Sequence, residues 1–251
     1  MPLRISAPTQ LWYAVLITVL ICSGYTRICT AQTLVINSPT NPPLTTPEKD
    51  GLLDVIVGEA FRRCGLTLEL IRTPAERALQ NVNNGLDDGD LSRIEGLEKH
   101  YPNLVRVPEK LFDMDFVAFT NSPKVTTSDL AAIANYNLGL IRGWKILEIK
   151  TAGMPHVTPV RNAEALFTML EKKRIDIALY SRWMGTALTQ KMRIANIRVV
   201  EPPLASREMF MYLHKKHKHL IPQLVQALQQ IKQEGLYEKA FNEKLKTLNL
   251  H

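Results

Sequence analysis

The feature that most constrains this chain is an alternation of two hydrophobic periods. Short apolar runs bounded by turn residues alternate with longer segments whose apolar residues recur every three or four positions. The first kind reads as a buried strand and the second as a helix with one face on a core. Residues 33–36 (TLVI) end at Asn37-Ser38-Pro39 and open a proline-rich loop through Pro47. Residues 50–64 read as a helix, with Leu53, Ile56 or Val57, Ala60 or Phe61, and Cys64 on one stripe and Gly65 at its end. Residues 66–71 (LTLELI) return to a strand. Thr73-Pro74-Ala75-Glu76 then reads as a helix start, with Thr73 as cap, Pro74 in the first turn and Glu76 completing a capping box. That helix runs to Asn84, and residues 86–94 go back to the sheet. The order β-α-β-α-β points to a parallel sheet with helices on its faces.

After extended segments at 104–107 and 115–120 the pattern restarts. Residues 128–134 form a short helix capped by Ser128, 136–141 a strand, 144–150 a helix and 156–160 a strand. Residues 162–173 form a helix and 175–180 (IDIALY) a strand. Strands at 197–200 and 209–213 precede two closing helices, 222–233 and 236–246, separated by Gly235. Two β-α-β arrays in series predict an α/β protein, and a length of 251 residues allows one large domain or two modest lobes.

The N-terminus carries a separate signal. Residues 1–10 hold Arg4 and no acid, and residues 11–22 (LWYAVLITVLIC) are densely apolar. That run is shorter than the roughly 20 residues that span a bilayer. It is followed by Cys29-Thr30-Ala31, a small-x-small exit. This pattern predicts a secretory signal peptide over residues 1–31, with an uncleaved membrane anchor as the alternative. Cleavage there removes Arg4, Arg27, Cys22 and Cys29, so Cys64 remains as a lone thiol without an internal disulfide partner. No later segment has 18 consecutive apolar residues, so the expectation is a soluble, exported, periplasmic protein. The net charge of +7 comes without a long basic block and does not indicate a nucleic-acid partner.

The mature chain resembles the bacterial extracytoplasmic solute-binding proteins of family 3, which include the amino-acid receptors of ABC transporters. The resemblance spans residues 33–246 and rests on LVINSPTNPP, GLLDVIVGEAFRRCGLTLELI, PAERALQNVNNGLDDGD, GLEKHYPNLVRVPEKLFDMDFVAFT, LGLIRG and LVQALQQIKQEGLYEKAFNEK. It implies a two-lobed periplasmic-binding-protein fold (type II) with two hinge strands, near residues 116–120 and 203–208. Lobe 1 is then expected from residues 32–117 and 206–251, and lobe 2 from residues 118–205. Such lobes close like a jaw on a small ligand.

In this architecture ligands sit beyond the carboxyl ends of parallel strands. Position therefore nominates Arg93 after the third strand, where the family often places a carboxylate-binding Arg. It also nominates Arg142 before Gly143, where an arginine meets a helix start, and Trp144 beside it as a stacking surface. Arg77 lies in the first turn of a helix, and Tyr180, Ser181 and Arg182 end the IDIALY strand. For each arginine the alternative is a solvated surface charge, and for Trp144 it is packing beneath the helix. Where amino-acid receptors of the family commonly carry an Asp for the ligand's amino group, this chain offers Ser181 and Arg182. Its Pro42-Pro43-Leu44 also lacks the aromatic that often covers the ligand. These departures favour an anionic or neutral ligand over a cation.

The sequence holds no H-E-x-x-H, G-x-S-x-G, phosphate loop or dinucleotide fingerprint. Asp87-Asp88-Gly89-Asp90 reads as a strand-end turn, and His214, His217 and His219 interleave with lysines that oppose a metal ion. The expectation is a non-enzymatic, monomeric receptor without cofactor or metal. It captures a small polar solute, anionic or zwitterionic, for a membrane ABC permease. The alternatives are an orphan sensor signalling to a membrane receptor and, more remotely, a secreted metal-dependent hydrolase.

Overall fold

The computed structural model describes residues 31–245 and Leu248. The expected leader falls, through residue 30, outside the described residues. The chain begins with β1 (Gln32–Asn37), α1 (Leu52–Arg63), β2 (Leu66–Ile71), α2 (Ala75–Asn83), β3 (Gly89–Arg93) and β4 (Leu104–Arg106). β5 (Phe112–Thr120) leads to α3 (Leu130–Ile133), β6 (Leu138–Ile141), α4 (Lys145–Lys150), β7 (Val157–Val160), α5 (Ala163–Glu171), β8 (Ile177–Ser181) and α6 (Arg182–Met192). β9 (Arg198–His214) returns, and α7 (Ile221–Gln233) and α8 (Leu236–Leu245) pack on α1.

The strands order as β2-β1-β3-β9-β5-β8-β6-β7, with β4 on β9. β2, β1 and β3 are parallel, and so are β7, β6 and β8. These two parallel halves are joined through β5 and β9, which run antiparallel to each other and to the halves they serve. The result is a two-lobed α/β fold connected by two strands.

Each half is held by apolar faces of the expected period. On α1, Leu52, Leu53, Ile56, Val57, Ala60 and Phe61 are buried, each large side chain contributing about 1.5–3 kcal/mol by leaving water. Asp54 accepts hydrogen bonds from the Thr46 and Gly51 nitrogens at 2.8 and 2.9 Å and fixes the helix entry. In the other half, Phe167 meets Phe119 and Tyr180 edge-on at 5.1 and 5.8 Å. Cys64 is half-buried against the core, and burial pushes its thiol up, which suits packing rather than nucleophilic chemistry.

Three local expectations are corrected. The strands expected at 197–200 and 209–213 are one strand, β9, which starts at Arg198. Ala118 pairs with Val200 and Phe116 with Ala205, so residues 201–204 stand opposite Val117 alone in a bulge. Pro202 and Pro203, which lack N–H donors, are tolerated there. The residue capping α2 is Pro74, with no side-chain cap, so Thr73 does not cap and Glu76 is left to bond elsewhere. Finally, Asp129 caps α3 by accepting from the Ala131 nitrogen, while Ser128 donates to the Pro202 carbonyl.

Candidate functional site

The carboxyl ends of β1, β2 and β3 face those of β6, β7 and β8 across two adjoining cavities. Both are bordered by Pro39, Thr40 and Trp144. The inner chamber is tight, with room for only a few water molecules as the halves stand, and the outer cavity is the roomier of the two. Ile94, Leu97, Met114, Phe116, Ile146 and Met209 give the inner one apolar walls, and Ser92, Arg93 and Lys145 border it too. The outer cavity is edged by Asn41, Arg72, Arg161, Asn162, Glu164 and Tyr180 together with apolar residues such as Ile141 and Ala163.

The halves touch around these cavities. Lys145 Nζ lies 2.6 Å from Glu76 Oε2 and 3.2 Å from Glu148 Oε2. Burial opposes the charge on Glu76, but Lys145, together with hydrogen bonds from Gln80 and Tyr101, outweighs it and holds the carboxyl below its ordinary range. Burial likewise opposes the charge on Lys145, and Glu76 and Glu148 push it above the usual lysine value. Asn41 Nδ2 donates to the Tyr180 hydroxyl at 3.0 Å. The backbones approach as well: a Cβ on Gly143 would lie 2.4 Å from the Glu76 nitrogen. Gly143 has φ +86°, and the missing side chain permits both this conformation and this approach.

The nominated residues separate into distinct groups. Arg93 is buried and borders the inner chamber. Its Nε and Nη2 donate to Asp90 Oδ2 at 2.9 and 2.6 Å, and Nη2 also donates to the Ala75 carbonyl at 2.9 Å. Trp144 stacks on Tyr180 at 4.6 Å and meets Phe116 edge-on at 5.8 Å, so it is both packed and a wall of the cleft. Tyr180 is buried and borders the outer cavity, and burial pushes its hydroxyl above the usual phenol value.

The other four lie away from the cavities. Arg142 is exposed and borders neither one. Its neighbour Ile141 faces the outer cavity, and strand alternation turns the next side chain away. Arg77 is exposed on α2, whose inner face is taken by Ala75, Ala78, Leu79 and Val82. Ser181 is buried, its hydroxyl without a hydrogen-bond partner among the described residues, and it borders neither cavity. Arg182 is held by Glu201 at 2.6 Å and Asp115 at 3.1 Å. It therefore ties α6 to β9 and β5, and its charge is matched where the strands cross between the halves.

Ser92, Lys145, Arg72, Arg161 and Asn41 were not nominated. Arg72 and Arg161 directly follow β2 and β7, so the strand-end rule that selected Arg93 applied to them equally. Nothing in the sequence marks Asn41 or Ser92.

The acidic turn and the histidines have structural partners. Asp87 accepts from Asn37 and Asn81 at 2.6 and 2.8 Å. Asp88 accepts from the Val35 nitrogen at 2.9 Å and pairs with His217 and Lys216. His214 accepts from the Lys216 nitrogen at 3.2 Å. Among the described residues no group of three or more metal-ligating side chains comes together.

No family model matches the sequence. An uncharacterised protein of Shewanella oneidensis is 27% identical over 198 residues, or 74% of this chain and 73% of its own length. Among solved structures, a histidine kinase sensor domain with similarity to periplasmic binding proteins gives a TM-score of 0.75 at 16% identity, over 86% of this chain and 96% of its own. The substrate-binding protein of an amino acid ABC transporter gives 0.72 at 15% identity, over 85% and 99%. At these identities the likeness establishes the fold, that of two-lobed periplasmic binding proteins.

Proposed function

We propose that this chain is an exported solute receptor that closes over a small polar ligand, anionic or zwitterionic, and presents the closed form to a membrane ABC permease. The observation that carries the reading is the pair of cavities between the halves. Arg72 and Arg161 border the outer one against a single carboxylate, Glu164, while Arg93 and Lys145 at the inner one are already paired with Asp90 and Glu76, a balance that leaves the outer cavity with an excess of positive charge. Residues 32–117 with 206–251 would form one lobe and residues 118–205 the other, moving about β5 and β9. Ligand contacts made from both halves exist only when the jaw is shut, so binding shifts the population toward closure. Residues 1–31 would direct export to the periplasm, and the chain would act as a monomer without catalysis.

The sensor-domain neighbour supports a second reading, in which the same closure reports to a membrane sensor instead. A thermal-shift screen of the full chain against organic acids, amino acids and amines tests the first step, because a ligand specific to the native state raises the melting temperature by mass action. Carboxylates are expected to score, and tight binding of lysine or arginine alone would refute the charge argument. The ligand-loaded chain should then stimulate ATP hydrolysis by its permease in proteoliposomes. Activation of a sensor kinase instead selects the second reading.

A further inference from the structure

The strands that join the halves have a second face. On β5, Met114 and Phe116 border the inner chamber, and strand alternation turns Asp113 and Asp115 to the opposite side. There they border a groove that is roomier than either cavity of the cleft. Trp183, in the first turn of α6, forms one wall, and Tyr237 and Phe241 of α8 form the other. α6 follows β8 in one half, while α8 packs on α1 in the other. The groove therefore runs behind the crossing strands and is shared by both halves.

Its rings form a continuous set. Trp183 meets Phe241 edge-on at 5.5 Å, and Tyr237 stacks on Phe241 at 6.1 Å. All three are only partly buried, so each keeps surface open to the groove. Asp113, Asp115 and Glu238 border the same space, and no lysine or arginine does. The surrounding cations are held by acids. Lys110 is held by Asp113 and Glu208, and Arg182 by Asp115 and Glu201. Lys232, which lies 5.8 Å over the Tyr237 ring without bordering the groove, is held by Glu109. Glu238 is exposed and makes no ion pair or hydrogen bond among the described residues. It is the uncompensated charge of the groove, and the oxygens of Asp113 and Asp115 have capacity for further bonds. Burial, Asp113 and Glu238 together push the Tyr237 hydroxyl up to about 12, so the two acids act on one side chain of the wall.

We propose that this groove is a second binding site, separate from the cleft, and that it takes an organic cation: an ammonium group carried on an aromatic or apolar body. The ammonium lies at Glu238 and Asp113, and the body lies on Trp183 and Phe241. Ring faces carry negative charge and attract cations, more strongly where water is displaced. A free carboxylate beside the rings adds to that attraction and repels an anion of the same shape. The site stands on its own walls and does not depend on what the cleft binds.

Three probes share one phenethyl body and differ in charge at neutral pH: phenethylammonium, 2-phenylethanol and hydrocinnamate. Calorimetric titration of the full chain should show the amine binding about tenfold tighter than the alcohol, with an affinity that falls as salt is added. The amine should also change the tryptophan fluorescence. Trp183→Phe should remove that change and Trp144→Phe should keep it, whereas hydrocinnamate should leave the Trp183 signal unaltered. Glu238→Gln takes one charge from an exposed side chain. It should weaken the amine about threefold to fivefold, leave the alcohol as it was and leave the melting temperature unchanged. Equal binding of amine and alcohol overturns the proposal, as does a fluorescence change that follows Trp144 instead of Trp183. No amine binding at millimolar concentration overturns it too, and unchanged amine affinity in Glu238→Gln overturns the place given to the ammonium.

Discussion

Gly143→Ala is the most direct test of the contact between the halves. Gly143 and Gly153 share nearly the same backbone angle, φ +86° and +83°. Alanine at either position incurs the left-handed penalty of about 1–2 kcal/mol. They differ in surroundings. A Cβ at Gly153 meets nothing within 4 Å, whereas one at Gly143 lies 2.4 Å from the Glu76 nitrogen and 2.9 Å from its Cα. Ordinary contact begins near 3.4 Å, so the halves must part by about 1 Å at this point. The same movement carries Lys145 Nζ from 2.6 Å to about 3.6 Å from Glu76, beyond hydrogen-bond reach. Overpacking of about 1–3 kcal/mol and a half-exposed ion pair of about 1 kcal/mol together give a closure-specific penalty of about 2–4 kcal/mol. The ratio of closed to open molecules should then fall about 30- to 1,000-fold. Denaturant unfolding and small-angle scattering on the parent and both variants separate the terms. Both variants should lose the backbone penalty in stability, but only Gly143→Ala should scatter as a larger particle. Identical scattering from the two variants would refute the reasoning.

Arg182→Ala removes the pairs with Glu201 and Asp115. It should cost about 1–2 kcal/mol of folding stability in urea and change ligand affinity less than twofold, whereas a tenfold loss of affinity would return Arg182 to the site. Asp90 predicts a pH dependence. Burial pushes its carboxyl up to about 6 against the pull of Arg93, while the unfolded value is about 3.9. The folded state then binds the proton more tightly, so this group's contribution to stability is greatest below about pH 4 and declines as pH rises through 6, by at most about 3 kcal/mol. Asp90→Asn should flatten that part of the urea-derived stability profile, and equal slopes in parent and variant would reject the assignment.

The two parallel arrays were legible because each buried element kept a clean period. The apolar stripe of α1 and the run of residues 175–180 could be placed from spacing alone. The bulge in β9 was not legible, since Glu201-Pro202-Pro203 reads as a break and only the partner strand shows that pairing resumes. At the site, strand-end position picked out Arg93 and Trp144 but equally selected Arg142, whose side chain leaves the cleft by simple alternation. Glu76 had an adequate local role as a capping partner, and that role hid its contact with Lys145, 69 residues away. Ser92, which also borders the inner chamber, was invisible because a serine in a sequence announces neither its left-handed backbone angle nor its burial.

Charged groups at such strand ends divide among three tasks, and only their partners reveal which. Arg182 is matched where β5 and β9 cross, Glu76 and Lys145 close the rim, and Arg93 is held by Asp90 beside the chamber. This division bears on what the ligand must supply. Apparent affinity equals intrinsic affinity scaled by the fraction of molecules already competent to bind. The Glu76–Lys145 pair, the Asn41–Tyr180 bond and the Gly143 approach favour closure without any ligand atom taking part. A ligand in the cleft is therefore relieved of bridging the two halves through many polar groups.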